Sequence, residues 1–148
     1  MVYTKYLSID YGDRRVGIGI TDEEKKYSFS RDYIENDGQL YLNLLKLIKE
    51  ENVEKIVLGY PVNLQSEKTE QTEKVEKFRQ KFEQFLKDNS IKVIIEYFDE
   101  RYTSKLAQQS IFSSGLSKSK RQDKGLVDSV SAQIILQDYL DKSKASGN

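Results

Sequence analysis

Val16-Gly17-Ile18-Gly19-Ile20 alternates branched apolar residues with glycine at a period of two, the repeat of a β-strand. One face of that strand carries three bulky side chains and the other carries none. A chain with such a segment near its start must build a sheet. Gly17 and Gly19, two apart, face the same way and open that side to close approach by a bulky partner.

The flanking residues extend the sheet. Tyr6-Leu7-Ser8-Ile9 reads as a strand entering the turn Asp10-Tyr11-Gly12-Asp13, and Tyr27 to Ile34 as a third strand that closes an antiparallel meander. Leu40, Leu44, Leu45, Leu47 and Ile48 recur at helical spacing, so Gln39 to Glu51 is an amphipathic helix. Lys55 to Leu58 is a short buried strand stopped by Gly59-Tyr60-Pro61. Lys68 to Asn89 is the longest helix, with Val75, Phe78, Phe82 and Phe85 as its apolar stripe. Lys92 to Phe98 is a fifth strand leading into Asp99-Glu100-Arg101, and Ser104 caps a helix that ends near Gly115. Leu116 to Lys124 is polar and basic, and Gly125 to Lys142 is the last helix. The expectation is an α/β domain over residues 1–142 and a disordered tail over 143–148. Its sheet is mixed and five-stranded: the first three strands are antiparallel, the later strands run parallel to strand 1, and helices cover both faces.

Composition narrows the chemistry. The 148 residues contain no cysteine and no histidine, which removes thiolate and imidazole nucleophiles, bases and metal ligands together. A metal must then be held through oxygen, which favours magnesium, manganese or calcium. Acid-base work falls to carboxylates, Lys, Tyr or water. The net charge is zero, so any basic surface is local. The N-terminal residues lack the apolar core of a signal peptide and no run is long enough to span a bilayer, so the default expectation is a cytoplasmic protein with no membrane partner.

Three acids stand out. Asp10 leaves the first strand beside Gly12, where it either looks into a cleft or bonds the turn backbone two residues ahead. Glu100 follows the fifth strand, and reads equally as an exposed acid paired with Arg101 or a helix cap. Asp128 shares a helix face with Ala132, Ile135 and Tyr139, the side that should meet the sheet, where an unpaired charge is expensive. Its placement in the first helical turn would ease that cost through the helix dipole. Converging carboxylates of this kind hold divalent cations that activate water and stabilise a leaving oxygen, with no protein nucleophile required. Arg14, Arg15, Arg101, Lys118, Lys120, Arg121 and Lys124 are candidates for phosphate contacts that position a nucleic-acid backbone, or a solvated charge run.

Four segments in order resemble the YqgF/RuvX-type nucleases, described as Holliday-junction-resolvase-like or pre-16S ribosomal RNA nucleases. They are Ile9-Asp10-Tyr11-Gly12-Asp13-Arg14-Arg15-Val16-Gly17, Gly59-Tyr60-Pro61-Val62-Asn63, Asp99-Glu100-Arg101-Tyr102-Thr103-Ser104, and Lys124-Gly125-Leu126-Val127-Asp128-Ser129-Val130-Ser131-Ala132. The resemblance implies an RNase H-like fold, and catalytic and metal-binding roles for Asp10, Glu100 and Asp128 with Mg2+ or Mn2+. It also implies cleavage of RNA in preference to DNA, on a ribosomal precursor particle, to mature the 5′ end of small-subunit ribosomal RNA. The chain departs from the pattern after Asn63, where Leu64-Gln65-Ser66-Glu67 replaces a glycine-containing turn, and at Ser131-Ala132, where paired alanines are usual. The end of strand four offers no acid, so Glu100 would have to reach from strand five across two spacings of ~4.8 Å. Three other readings stay open: a Holliday-junction-resolvase-like DNA endonuclease, a non-catalytic RNA-binding assembly factor, and a nucleotide-binding protein of the actin and sugar-kinase type. The oligomeric state has no sequence signature.

Overall fold

A computed structural model describes residues 3–63, 65–99 and 124–145. Five strands form one sheet in the order β3-β2-β1-β4-β5. They are β1 (Lys5–Asp10), β2 (Arg15–Thr21), β3 (Ser28–Glu35), β4 (Val53–Tyr60) and β5 (Ile94–Asp99). β1 pairs antiparallel with β2, and β2 with β3, while β4 and β5 run parallel to β1. This is the mixed sheet expected from the order of elements. β4 runs further than its sequence suggests, because Gly59 and Tyr60 still pair with Phe98 and Asp99. Glycine and an aromatic residue therefore extend the strand, and only Pro61, which lacks an amide proton, ends it.

Two helices, α1 (Leu40–Glu51) and α2 (Glu70–Asp88), cover one face. Leu40, Leu44, Leu45, Leu47 and Ile48 form the buried stripe of α1, which ends at Asn52 in the left-handed conformation with its amide on the carbonyls of Ile48 and Lys49. α2 is capped by Thr69, whose hydroxyl accepts from the Thr72 amide while the Thr72 hydroxyl oxygen accepts from the Thr69 amide. Its buried stripe is Val75, Phe78, Phe82 and Leu86. Leu86 completes it in place of Phe85, which packs from the rim with its ring 5.5 Å from Tyr41. These residues meet Leu7, Ile9, Val16, Ile18, Ile20, Ile56 and Leu58 in one large apolar core.

The third helix, α3 (Lys124–Ala145), covers the opposite face, so helices lie on both sides of the sheet. It continues past Lys142 to Ala145. Among the described residues Val57, Ile135 and Leu136 form its buried apolar cluster, with Tyr6, Phe98 and Tyr139 at the edge. Most of its seat on the sheet comes from small residues, because Gly17, Gly19 and Ser8 present almost no volume there. The helix expected after Ser104 and the basic segment before Lys124 lie outside the described residues.

Candidate functional site

Strand alternation divides β1 cleanly. Leu7 and Ile9 enter the α1–α2 core, so Tyr6, Ser8 and Asp10 belong to the α3 face. On β2 the same rule puts Val16, Ile18 and Ile20 in the core and Arg15, Gly17 and Gly19 toward α3. Ser8 donates its hydroxyl proton to the Ala132 carbonyl at 2.6 Å, a buried bond across 124 residues of sequence. A Cβ on Gly19 would stand 3.0 Å from that same carbonyl oxygen, and one on Gly17 would overlap the Asp128 carbonyl and lie 3.2 Å from the Ser129 amide nitrogen. The bulky partner that the two glycines admit is thus the backbone of the chain's own last helix.

This close seating places two of the three expected acids around one glycine. Asp10 is the cross-strand partner of Gly17, which puts their Cα atoms about 5 Å apart, and Asp128 is pressed against Gly17 from above the sheet. Asp10 is half-buried at the carboxyl end of the central strand. The Arg15 guanidinium Nε lies 3.2 Å from Asp128 Oδ2, with the two side chains 25% and 30% exposed. Asp128 does lie on the helix face shared with Ala132, Ile135 and Tyr139, all of them buried or half-buried. It does not lie in the first helical turn, however. As described, α3 runs from Lys124, which makes Asp128 its fifth residue, beyond most of the reach of the helix dipole, and Arg15 pairs with its carboxylate.

The turn that follows Asp10 is fastened from two sides. Gln71 on α2 donates its amide to the Tyr11 carbonyl at 2.9 Å, and Asn36 after β3 donates its side-chain amide to the Gly12 carbonyl at 2.7 Å. The Asn36 backbone amide reaches the Arg14 carbonyl at 2.8 Å. Tyr11 stacks on Phe78 with ring centroids 4.5 Å apart, and Lys74 pairs with Asp13 at 3.1 Å. Gly12 has no room for a side chain, since a Cβ there would sit 2.5 Å from the Arg15 carbonyl oxygen. None of Gln71, Asn36, Ser8 or Phe78 is singled out by sequence reasoning for this task. The only available signal was the face parity that puts Ser8 with Asp10.

The remaining candidates divide simply. Arg14 is exposed at the turn, while Arg15 is turned onto Asp128. Glu100, Arg101, Lys118, Lys120 and Arg121 lie outside the described residues, and Lys124 is described only as the first residue of α3. Among the described residues no three acids gather as a metal-binding group. Farther along α3, Tyr139 donates to Glu96 at 2.7 Å and accepts from Lys55 at 2.8 Å, and Lys55 also pairs with Glu96 at 3.2 Å. The Tyr139 hydrogen bond, with help from Lys55, holds the Glu96 carboxyl below its ordinary range. At a rise of 1.5 Å per residue this cluster is about 16 Å along the helix from Asp128 and serves packing, away from the acids. A groove of about 830 Å³ between α2 and β5, lined by Glu83, Leu86, Lys87, Ile91 and Ile94, contains none of the candidate residues.

Comparison with known proteins follows the same lines. A family model described as RuvX, Holliday junction resolvase, matches residues 4–142. A Flavobacterium psychrophilum protein named "Putative pre-16S rRNA nuclease" is 42% identical over 136 residues, which is 92% of this chain and 96% of that one. A Phocaeicola vulgatus protein of the same name is 35% identical over 141 residues, 95% of this chain and 98% of its own. T. thermophilus RuvC in complex with Holliday junction substrate superposes with a TM-score of 0.57 at 14% identity, over 97% of this chain and 98% of that chain. Fowlpox virus resolvase in complex with Holliday junction DNA gives a TM-score of 0.57 at 12% identity, over 95% and 99%. At these identities the likeness establishes the shared architecture, an RNase H-like sheet.

Proposed function

Since the chain belongs to the RuvX Holliday junction resolvase family, whose members act on phosphodiester bonds, we propose that it is a metal-dependent nuclease working at the carboxyl end of β1. The observation that supports this reading is that Asp10 pairs with Gly17 across the sheet while the Asp128 backbone carbonyl stands against that same glycine from α3. The donor set fits a hard cation: carboxylate oxygens are present and the whole chain lacks histidine and cysteine. Asp10 and Asp128 would hold the ion, with Glu100 as a third ligand. Mg2+ or Mn2+ bound there supplies an activated water and stabilises charge on the leaving oxygen. Arg14, exposed in the turn after Asp10, would meet substrate phosphates, and Arg101, Lys118, Lys120, Arg121 and Lys124 would extend that contact without reading sequence.

The names of the bacterial relatives support pre-16S ribosomal RNA as the substrate. Cleavage at its 5′ end, on a precursor particle in the cytoplasm, is the finer reading that the motif resemblance implies. No described helix is long and apolar enough to cross a membrane. Branched DNA is the second reading, favoured by the family's description and by the sheet shared with two junction-bound resolvases. Purified protein should cleave a precursor RNA in the presence of Mg2+ or Mn2+ and lose the activity with chelator. Asp10→Asn should fold normally by circular dichroism and lose about 10³-fold or more in cleavage rate. Undiminished cleavage by the folded variant would remove the proposal, and faster cleavage of a four-way DNA junction than of RNA would select the second reading.

A further inference from the structure

Arg15 belongs to the basic residues that a sequence reading gives to the nucleic-acid backbone, yet its guanidinium is spent elsewhere. Its Nε lies 3.2 Å from Asp128 Oδ2, and both side chains are about three-quarters covered. We propose that Arg15 is a positioning residue for the metal site, fixing the Asp128 carboxylate beside Asp10 rather than gripping substrate; this rests on the nuclease reading above.

Three features support the assignment. First, Arg15 and Gly17 lie on the same side of β2, and Gly17 is where the backbone of Asp128 touches the sheet and where Asp10 pairs. The Asp128 side chain therefore leaves the helix next to the Arg15 side chain and within the same small patch as Asp10. Second, the helix face that carries Asp128 continues into Ala132 and Ile135, which are 0% and 1% exposed, so the carboxylate stands at the edge of an apolar seat and Arg15 offsets its charge there. Third, a guanidinium offers its protons in a fixed plane, so a bond through Nε sets the tilt of the carboxylate as well as compensating its charge. Carboxylates that ligate metals are commonly held by such a partner, and loss of the partner typically weakens metal affinity by about 10- to 100-fold. A residue committed in this way contributes little to phosphate affinity, which falls instead to the exposed Arg14.

The test is a titration with Mn2+ followed by electron paramagnetic resonance, in wild type, Asp10→Asn, Arg15→Gln and Arg15→Lys, each checked for folding by circular dichroism. Steady-state cleavage of an RNA oligonucleotide is measured on the same preparations. Arg15→Gln is expected to bind Mn2+ about 10- to 100-fold more weakly and to lower kcat at saturating Mn2+, with KM for RNA changed by less than about twofold. Arg15→Lys keeps the charge but loses the planar fork, and is expected to fall between wild type and Arg15→Gln in Mn2+ affinity. It also serves as the deciding variant if Arg15→Gln does not fold. Wild-type Mn2+ affinity in the folded Arg15 variants, with a raised KM, would overturn the inference and return Arg15 to the substrate backbone. Weak Mn2+ binding together with a raised KM would also overturn it, since the arginine would then touch both. Failure of wild type to bind Mn2+, or full binding by Asp10→Asn, would instead overturn the metal site itself and the inference with it.

Discussion

The two faces of the sheet are built on opposite principles. Toward α1 and α2 the strands present Leu7, Ile9, Val16, Ile18, Ile56 and Leu58, and the helices answer with leucines and a run of aromatic rings. Phe78 and Phe82 stack 5.4 Å apart, and Tyr41 leans on Phe78, Phe82 and Phe85 at 5.5 to 6.1 Å. That face is held by volume and by area removed from water. Toward α3 the strands present two glycines and a serine, and the helix comes so close that backbone meets backbone. Asp10 and Asp128 sit on this second face. Large side chains keep the elements apart and can be exchanged for others of like size. Close backbone contact fixes position to within a fraction of an ångström and tolerates almost nothing added, which is what a constellation of charged ligands requires.

The contrast can be broken by three substitutions, taken from the largest loss of stability downward. Phe82→Ala removes a ring that is 0% exposed from the centre of the aromatic run and should cost about 3–5 kcal/mol in denaturant unfolding. The variant that remains folded at low temperature should still bind Mn2+ and cleave. If it is folded but inert, the large core sets the site directly and the division between faces fails. Gly17→Ala adds a single methyl where the Asp128 carbonyl already stands, so α3 must lift; about 1–3 kcal/mol is expected, together with loss of Mn2+ binding and cleavage. Its signature is a loss of function out of proportion to the loss of stability, and retained cleavage would show that the seating of α3 is looser than described. Ser8→Ala removes one buried hydroxyl bond to Ala132 and should cost about 1 kcal/mol, with a modest fall in cleavage rate. A fall as steep as that of Gly17→Ala would mean that the serine bond, and not the glycine gap, sets the register of α3.

Much of this was legible in the sequence because it is periodic. The alternation around Gly17 and Gly19 marks the bare face, and the helical spacing of the leucines in α1 and the aromatic residues in α2 marks the opposite core. Asp128 could be placed on the sheet-facing side of its helix by counting in steps of 3.6. What could not be read depends on contacts between distant residues, which leave no period. The clasp of Gln71 on Tyr11 spans 60 positions and that of Asn36 on Gly12 spans 24. Arg15 reads as one more surface cation until the fold brings it to Asp128, 113 residues away. The helix dipole suggested by the sequence is a weaker partner for Asp128 for a local reason: in a helix that runs from Lys124, the acid lies just past the first turn. Gly59 and Tyr60 look like a turn in isolation, whereas pairing with Phe98 and Asp99 overrides that local preference and keeps them in β4.

Gln71 and Asn36 approach the hairpin tip beyond Asp10 from separate parts of the chain, one from a helix and one from the exit of an edge strand. Swinging the tip would sever bonds to both neighbours and unstack Tyr11 from Phe78. The freedom of these residues is therefore surrendered when the protein folds, not when a strand of nucleic acid arrives, and the encounter proceeds on a surface whose shape is already decided.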